Sequence, residues 1–141
     1  MQKIDVFSLF VAMTLNLSIM AVALPYFMGR VNRAARYAQS GIVLQTAGWL
    51  CLFSSSTFER GGWADHLLST LAMGCVSSGM VFNAKAFQIW CGRKDTVHLP
   101  IAIAVLMTVG YSISFSDYAF RVGWANGLLA LQIATVVITL W

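Results

Sequence analysis

Five carboxylates, two histidines and three cysteines are the residues of this 141-residue chain that could do acid–base, metal or thiol chemistry. The densest group is Glu59, Arg60, Trp63, Asp65 and His66, and a second is Asp117, Tyr118 and Arg121. Of these, Glu59, Trp63, Asp65, His66, Asp117 and Tyr118 could line a shallow site for a ligand arriving from one face of the protein. A carboxylate beside an imidazole could also give a pH response, because histidine titrates near neutrality. Each residue taken singly equally fits a solvated helix cap or an interfacial anchor, which is the commoner role. No catalytic residue is expected, since the chain has no H-E-x-x-H, no phosphate-binding glycine loop and no serine or cysteine triad. Cys51, Cys75 and Cys91 have no C-x-x-C spacing and read as small hydrophobes. His66 and His98 are expected at opposite ends of the molecule, so no metal site and no cofactor is expected.

The elements that must carry these residues are set by where the charges are missing. Charged residues make up 10% of the chain and hydrophobic residues 59%, with a mean hydropathy of +0.75, against about 25% charged in a soluble domain. Five apolar stretches run from Val6 to Met28, Ala38 to Phe58, Leu67 to Trp90, Leu99 to Phe115 and Val122 to Trp141. Each is close to the roughly 20 residues that cross a bilayer as a helix. The expected fold is therefore all-α, an integral membrane helical bundle of about five transmembrane helices forming a single domain over residues 1–141. Short connections make consecutive helices antiparallel neighbours.

Orientation follows from the loops. Arg30, Arg33, Arg36, Lys85, Arg93 and Lys94 fall on one side with Asp95, whereas Lys3, Arg60 and Arg121 share the other with Asp5, Glu59, Asp65 and Asp117. The positive-inside rule places the first side in the cytoplasm, the N-terminus outside and the C-terminus inside. This asymmetry explains the basic excess without a nucleic-acid partner. A cleaved signal peptide ending at Ala21-Val22-Ala23 is the competing reading of the first stretch. It would remove Thr14, Asn16 and Ser18, polar residues that suit helix packing better than a signal core.

None of the five carboxylates lies inside a span, which argues against a proton-coupled pump. Lys85, near the cytoplasmic end of the third span, reads as a snorkelling anchor. Small residues recur at spacing four on the third span, at Thr70, Gly74 and Ser78, and on the fifth, at Gly123 and Gly127 with Asn126, Ala130 and Ala134 nearby. Gly74, Ser78, Gly123 and Gly127 are thus the expected helix-packing positions, inside the chain or at a dimer seam. Pro100 suits the first turn of the fourth helix.

One stretch adds a likeness: Arg33-Ala34-Ala35-Arg36-Tyr37-Ala38-Gln39-Ser40-Gly41, followed by Gln45-Thr46-Ala47-Gly48-Trp49. With Trp63, Leu67-Leu68, the segment from Phe87 to Arg93 and the pair Phe120-Arg121, it resembles the N-terminal multi-pass membrane sensor regions of bacterial GGDEF-type diguanylate cyclases. The resemblance implies a sensory and dimerising domain in the bacterial inner membrane, a homodimer, and a cytoplasmic GGDEF output domain making cyclic di-GMP in the parent chain. That catalytic signature is absent from these residues, so the chain is expected to be a fragment without activity of its own. The alternative expectation is a small transporter or permease-like subunit working through a cavity between helices three, four and five.

Overall fold

In the computed structural model, which describes residues 6–27, 32–93 and 96–140, every regular element is a helix: α1 (Val6–Phe27), α2 (Arg33–Ser55), α3 (Trp63–Trp90), α4 (His98–Ile113) and α5 (Tyr118–Leu140). Lys3, Asp5, Arg30, Lys94 and Asp95, used above for orientation, lie outside the described residues. Two helices are long and apolar enough to cross a membrane, Trp63–Trp90 and Tyr118–Ile138. The remaining three do not reach that standard over their described residues, α4 because it has only 16.

Helix ends depart from the apolar stretches where local chemistry extends them. α2 starts at Arg33, five residues before Ala38, because arginine and alanine are strong helix formers and Ala34 and Ala35 are buried there. α3 starts at Trp63, four residues early, and ends in a Schellman motif. Arg93 donates its N–H to the Gln88 carbonyl at 2.9 Å and Gly92 donates to Ile89 at 3.3 Å, with Gly92 at a φ of +63°. Pro100 sits in the first turn of α4 as expected.

α3 is the centre of the bundle: it packs along α2 and also touches α4 and α5, whereas α1 packs on α2 alone. The α2–α3 contact is made by glycine. A Cβ added at Gly79 would stand 2.7 Å from the Gly41 carbonyl oxygen, and one at Gly48 would stand 2.9 Å from that of Ala72. The close approach expected at Gly74 and Ser78 is therefore made one residue round the helix, on the Ala72–Gly79 face. Gly74 meets Thr108 of α4 only at ordinary contact distance.

Much of what is buried is small or polar, with Ala34, Ala72, Ala84, Ala86, Ser77, Gln88 and Gln132 nearly inaccessible, beside Ile103, Met107 and Tyr111 of α4. What is exposed is large and apolar, including Val22, Ile113 and Ile138, each more than 70% exposed. In the two membrane-length helices only 28% and 17% of the apolar window is buried within the protein. Their hydrophobicity is not that of a soluble core, where such side chains turn inward.

Candidate functional site

The residues singled out for ligand binding all lie at one end of the bundle, where α2 passes into α3 and α4 into α5. The turn before α3 depends on Gly61, at a φ of +83°. Its N–H donates to Asp65 Oδ2 at 3.0 Å, and Ser69 Oγ donates to Oδ1 at 3.0 Å. Asp65 is thus a buried carboxylate in the first turn of α3 that reaches back to hold the turn, as an acidic residue near a helix N-terminus does. Glu59 is exposed and contributes its carbonyl to the Gly62 N–H; Trp63 is 82% exposed.

His66 points away from Asp65. Its Nε2 stands 3.1 Å from the Ser112 carbonyl, to which it donates, and 3.0 Å from the Ser112 hydroxyl, while its ring stacks on Phe115 with centroids 4.2 Å apart. The expected Asp65–His66 pair is not formed, for a simple reason: consecutive helical residues project about 100° apart and do not face each other. Asp65 serves the turn and His66 serves α4.

Across the end, Asp117 caps α5 by accepting the Phe120 N–H on Oδ1 at 3.0 Å. That cap sets the first turn of α5 and places Arg121 over three rings. Its Cζ lies 4.1 Å from the centroid of Phe115, 5.2 Å from that of Tyr118 and 5.6 Å from that of Tyr111. Arg121 Nε and Nη1 are shut off from solvent and meet no acceptor. A guanidinium held by ring faces in place of hydrogen bonds keeps its cation–π attraction, worth about 2 kcal/mol when desolvated, but leaves two donors unsatisfied. The site thus has an aromatic floor of Tyr111 and Phe115 shared by His66 and Arg121, linking α3, α4 and α5. Tyr111 and Phe115 were not among the expected site residues. Their spacing of four at the end of an apolar stretch is the signal that could have found them.

Two further features stand apart. First, where α3, α4 and α5 meet at Gln132 the space is occupied by that fully buried side chain, whose Nε2 donates to the carbonyls of Ser77 at 3.1 Å and Pro100 at 3.2 Å. The open space is instead a groove of about 850 Å³ between α2, α3 and α4, with Tyr37 and Lys85 at one end and Thr70 at the other. Second, Gly123 and Gly127 face outward, where an added Cβ would meet nothing within 4 Å, and Ala130 and Ala134 are exposed beside them. That stripe packs against no helix among the described residues. Among the described residues no group of three or more His, Cys, Asp or Glu side chains is placed to hold a metal.

Removing Asp65 tests whether it is structural. Asp65→Ala is expected to destabilise the fold by about 2 kcal/mol, the loss of two hydrogen bonds to a charged acceptor. Trp63→Ala, one turn position away on the exposed side, is expected to stay within about 0.5 kcal/mol. Thermal unfolding of the purified variants in detergent checks both, and equal effects would refute the assignment.

The fold and the site together define an all-helical protein with two membrane-length apolar helices and an aromatic–arginine cluster at one end. No family model, no curated protein and no solved structure matches the chain.

Proposed function

We propose that this chain is the multi-pass, membrane-embedded sensory and dimerisation domain of a bacterial cyclic di-GMP signalling protein, inserted in the inner membrane by five spans with its N-terminus outside. The outer surface supports embedding: large apolar side chains cover it, while alanine, serine and glutamine make up much of the interior beside Ile103, Met107 and Tyr111. The bundle ends support the orientation. Arg33, Arg36, Lys85 and Arg93 gather at one end with no carboxylate among the described residues there, and Glu59, Asp65 and Asp117 lie at the other with Arg60 and Arg121.

The observation that carries the signalling reading is the layout of α5. Its first turn holds Arg121 in the outer aromatic cluster, and the next turns present the unpartnered Gly123–Gly127 face. A ligand or membrane change that moves Arg121 displaces the same helix that would contact a second copy. A symmetric pair would then pass that shift to cytoplasmic heads. The filled space around Gln132 speaks against a transport path through α3, α4 and α5.

The test uses the full encoded protein in a bacterial host. The reading predicts that the coding sequence continues beyond Trp141 into a GGDEF domain, that Gly127→Leu lowers the dimer fraction, and that Arg121→Ala changes cellular cyclic di-GMP while membrane insertion persists. A coding sequence without such a domain, or a cyclic di-GMP level indifferent to both substitutions, would sink it.

A further inference from the structure

The groove between α2, α3 and α4 combines three properties that a generic packing defect lacks. It is long: Thr70 and Lys85 line it 15 residues apart on α3, which at 1.5 Å per residue is roughly 22 Å. That is enough for an acyl chain to run from a headgroup to the middle of a hydrocarbon core about 30 Å thick. It is apolar along its walls, where Leu44, Val81 and Val105 contribute. Three hydroxyl residues, Thr70, Ser78 and Thr108, also line it, but its charge is at one end, where Tyr37 and Lys85 line it and Tyr37 rests on Phe82 with ring centroids 6.0 Å apart.

Among the described residues the charge at that end is of one sign. Arg33 and Arg36 are exposed in the first turn of α2, immediately before Tyr37, and Arg93 is exposed just past the end of α3. A basic mouth on an apolar groove between helices complements an amphiphile with an anionic head and a hydrocarbon tail.

We propose that this groove is a binding site for one anionic glycerophospholipid of the cytoplasmic leaflet, its phosphate beside Lys85 and Tyr37 and an acyl chain laid along α3 toward Thr70. The proposal rests on the membrane-embedded reading above. The lipid lies between α2 and α4, so its presence fixes their spacing on α3, and leaflet composition becomes an input to the bundle.

The full chain, reconstituted in nanodiscs of equal parts phosphatidylglycerol and phosphatidylethanolamine, is extracted in mild detergent and weighed by native mass spectrometry. Wild type is expected to retain one phosphatidylglycerol. Lys85→Gln is expected to lower retention about fivefold, and Arg60→Gln, exposed at the opposite end of the bundle, to leave it unchanged. Ser78→Phe and Val105→Trp, which fill the groove, are expected to abolish retention. Val105 is 58% exposed, so the tryptophan is accommodated without disturbing the core and keeps the test valid if Ser78→Phe fails to fold. Equal retention of phosphatidylethanolamine, equal loss in Arg60→Gln and Lys85→Gln, or retention that survives Val105→Trp would overturn the site. So would a dimer without lipid that Val105→Trp splits, because a second copy would then occupy the groove. A chain that fails to enter nanodiscs at all would overturn the membrane reading with it.

Discussion

Gly79→Leu is expected to cost about 3 kcal/mol, at the upper end of what overpacking usually imposes, and to separate α2 from α3. The contact cannot relax locally. A Cβ at Gly79 would meet the Gly41 carbonyl oxygen at 2.7 Å and the Gln45 backbone nitrogen at 3.2 Å, and backbone atoms of a helix cannot rotate aside as a side chain does. The helices must move apart, and the buried surfaces of Ala34, Ala72 and Ala84 go with them. Gly123→Ala provides the opposite expectation: with nothing within 4 Å of the new methyl group, replacing a helical glycine should stabilise the monomer by about 0.5 to 1 kcal/mol. Unfolding of both variants in the same detergent, followed by circular dichroism, measures the contrast. A Gly79→Leu protein as stable as wild type would refute glycine-mediated packing of α2 on α3.

The second large effect is at Gln132. Its Nε2 bridges two carbonyls, on α3 and on α4, while its Oε1 is buried with no partner. Gln132→Glu replaces the donor with a carboxylate facing two carbonyl oxygens, and is expected to cost about 3 to 5 kcal/mol, as an uncompensated buried charge does. The cost should shrink in acid, where the protonated carboxyl again has one hydrogen to donate. Gln132→Leu behaves differently. It removes the donor and the orphaned oxygen together at similar volume, so its cost is expected to stay within about 1 kcal/mol. Unfolding measured for both variants at pH 5 and pH 8 separates the cases. A glutamate variant no less stable than the leucine variant would show that the bridge contributes nothing.

These two positions also mark what the sequence made legible. Five helices could be read from the apolar stretches because helix is what a long apolar run forms, and the turns fell where the charges lay. The start of α2 could not, since hydropathy locates an apolar boundary and Arg33 through Tyr37 continue as helix beyond it. Spacing four among small residues correctly marked helix faces but not their partners: Gly74 and Ser78 face the groove, Gly123 and Gly127 face outward, and the face that packs runs through Gly79. Gln132 is a single polar residue in an apolar run, and nothing in its neighbours signals that it reaches two other helices. At the end of the bundle where α2 passes into α3, adjacency in sequence misled in the case of Asp65 and His66, which serve different elements. His66 and Arg121, 55 positions apart, share the ring of Phe115. The spacing of Tyr111 and Phe115 could mark the two rings as a pair, but only the fold shows that Phe115 lies between His66 and Arg121.

α4 carries one more consequence. With 16 residues beside the 28 of α3, it reaches about 24 Å where its neighbour reaches about 42 Å. In a five-span bundle the lipid next to α4 must compress while α3 leans to fit, each ångström of mismatch costing a fraction of a kcal/mol. A thinner bilayer relieves α4, and a thicker one strains it and pulls α3 upright. Under the proposed five-span reading, the tilt of α3 would follow the thickness of the membrane.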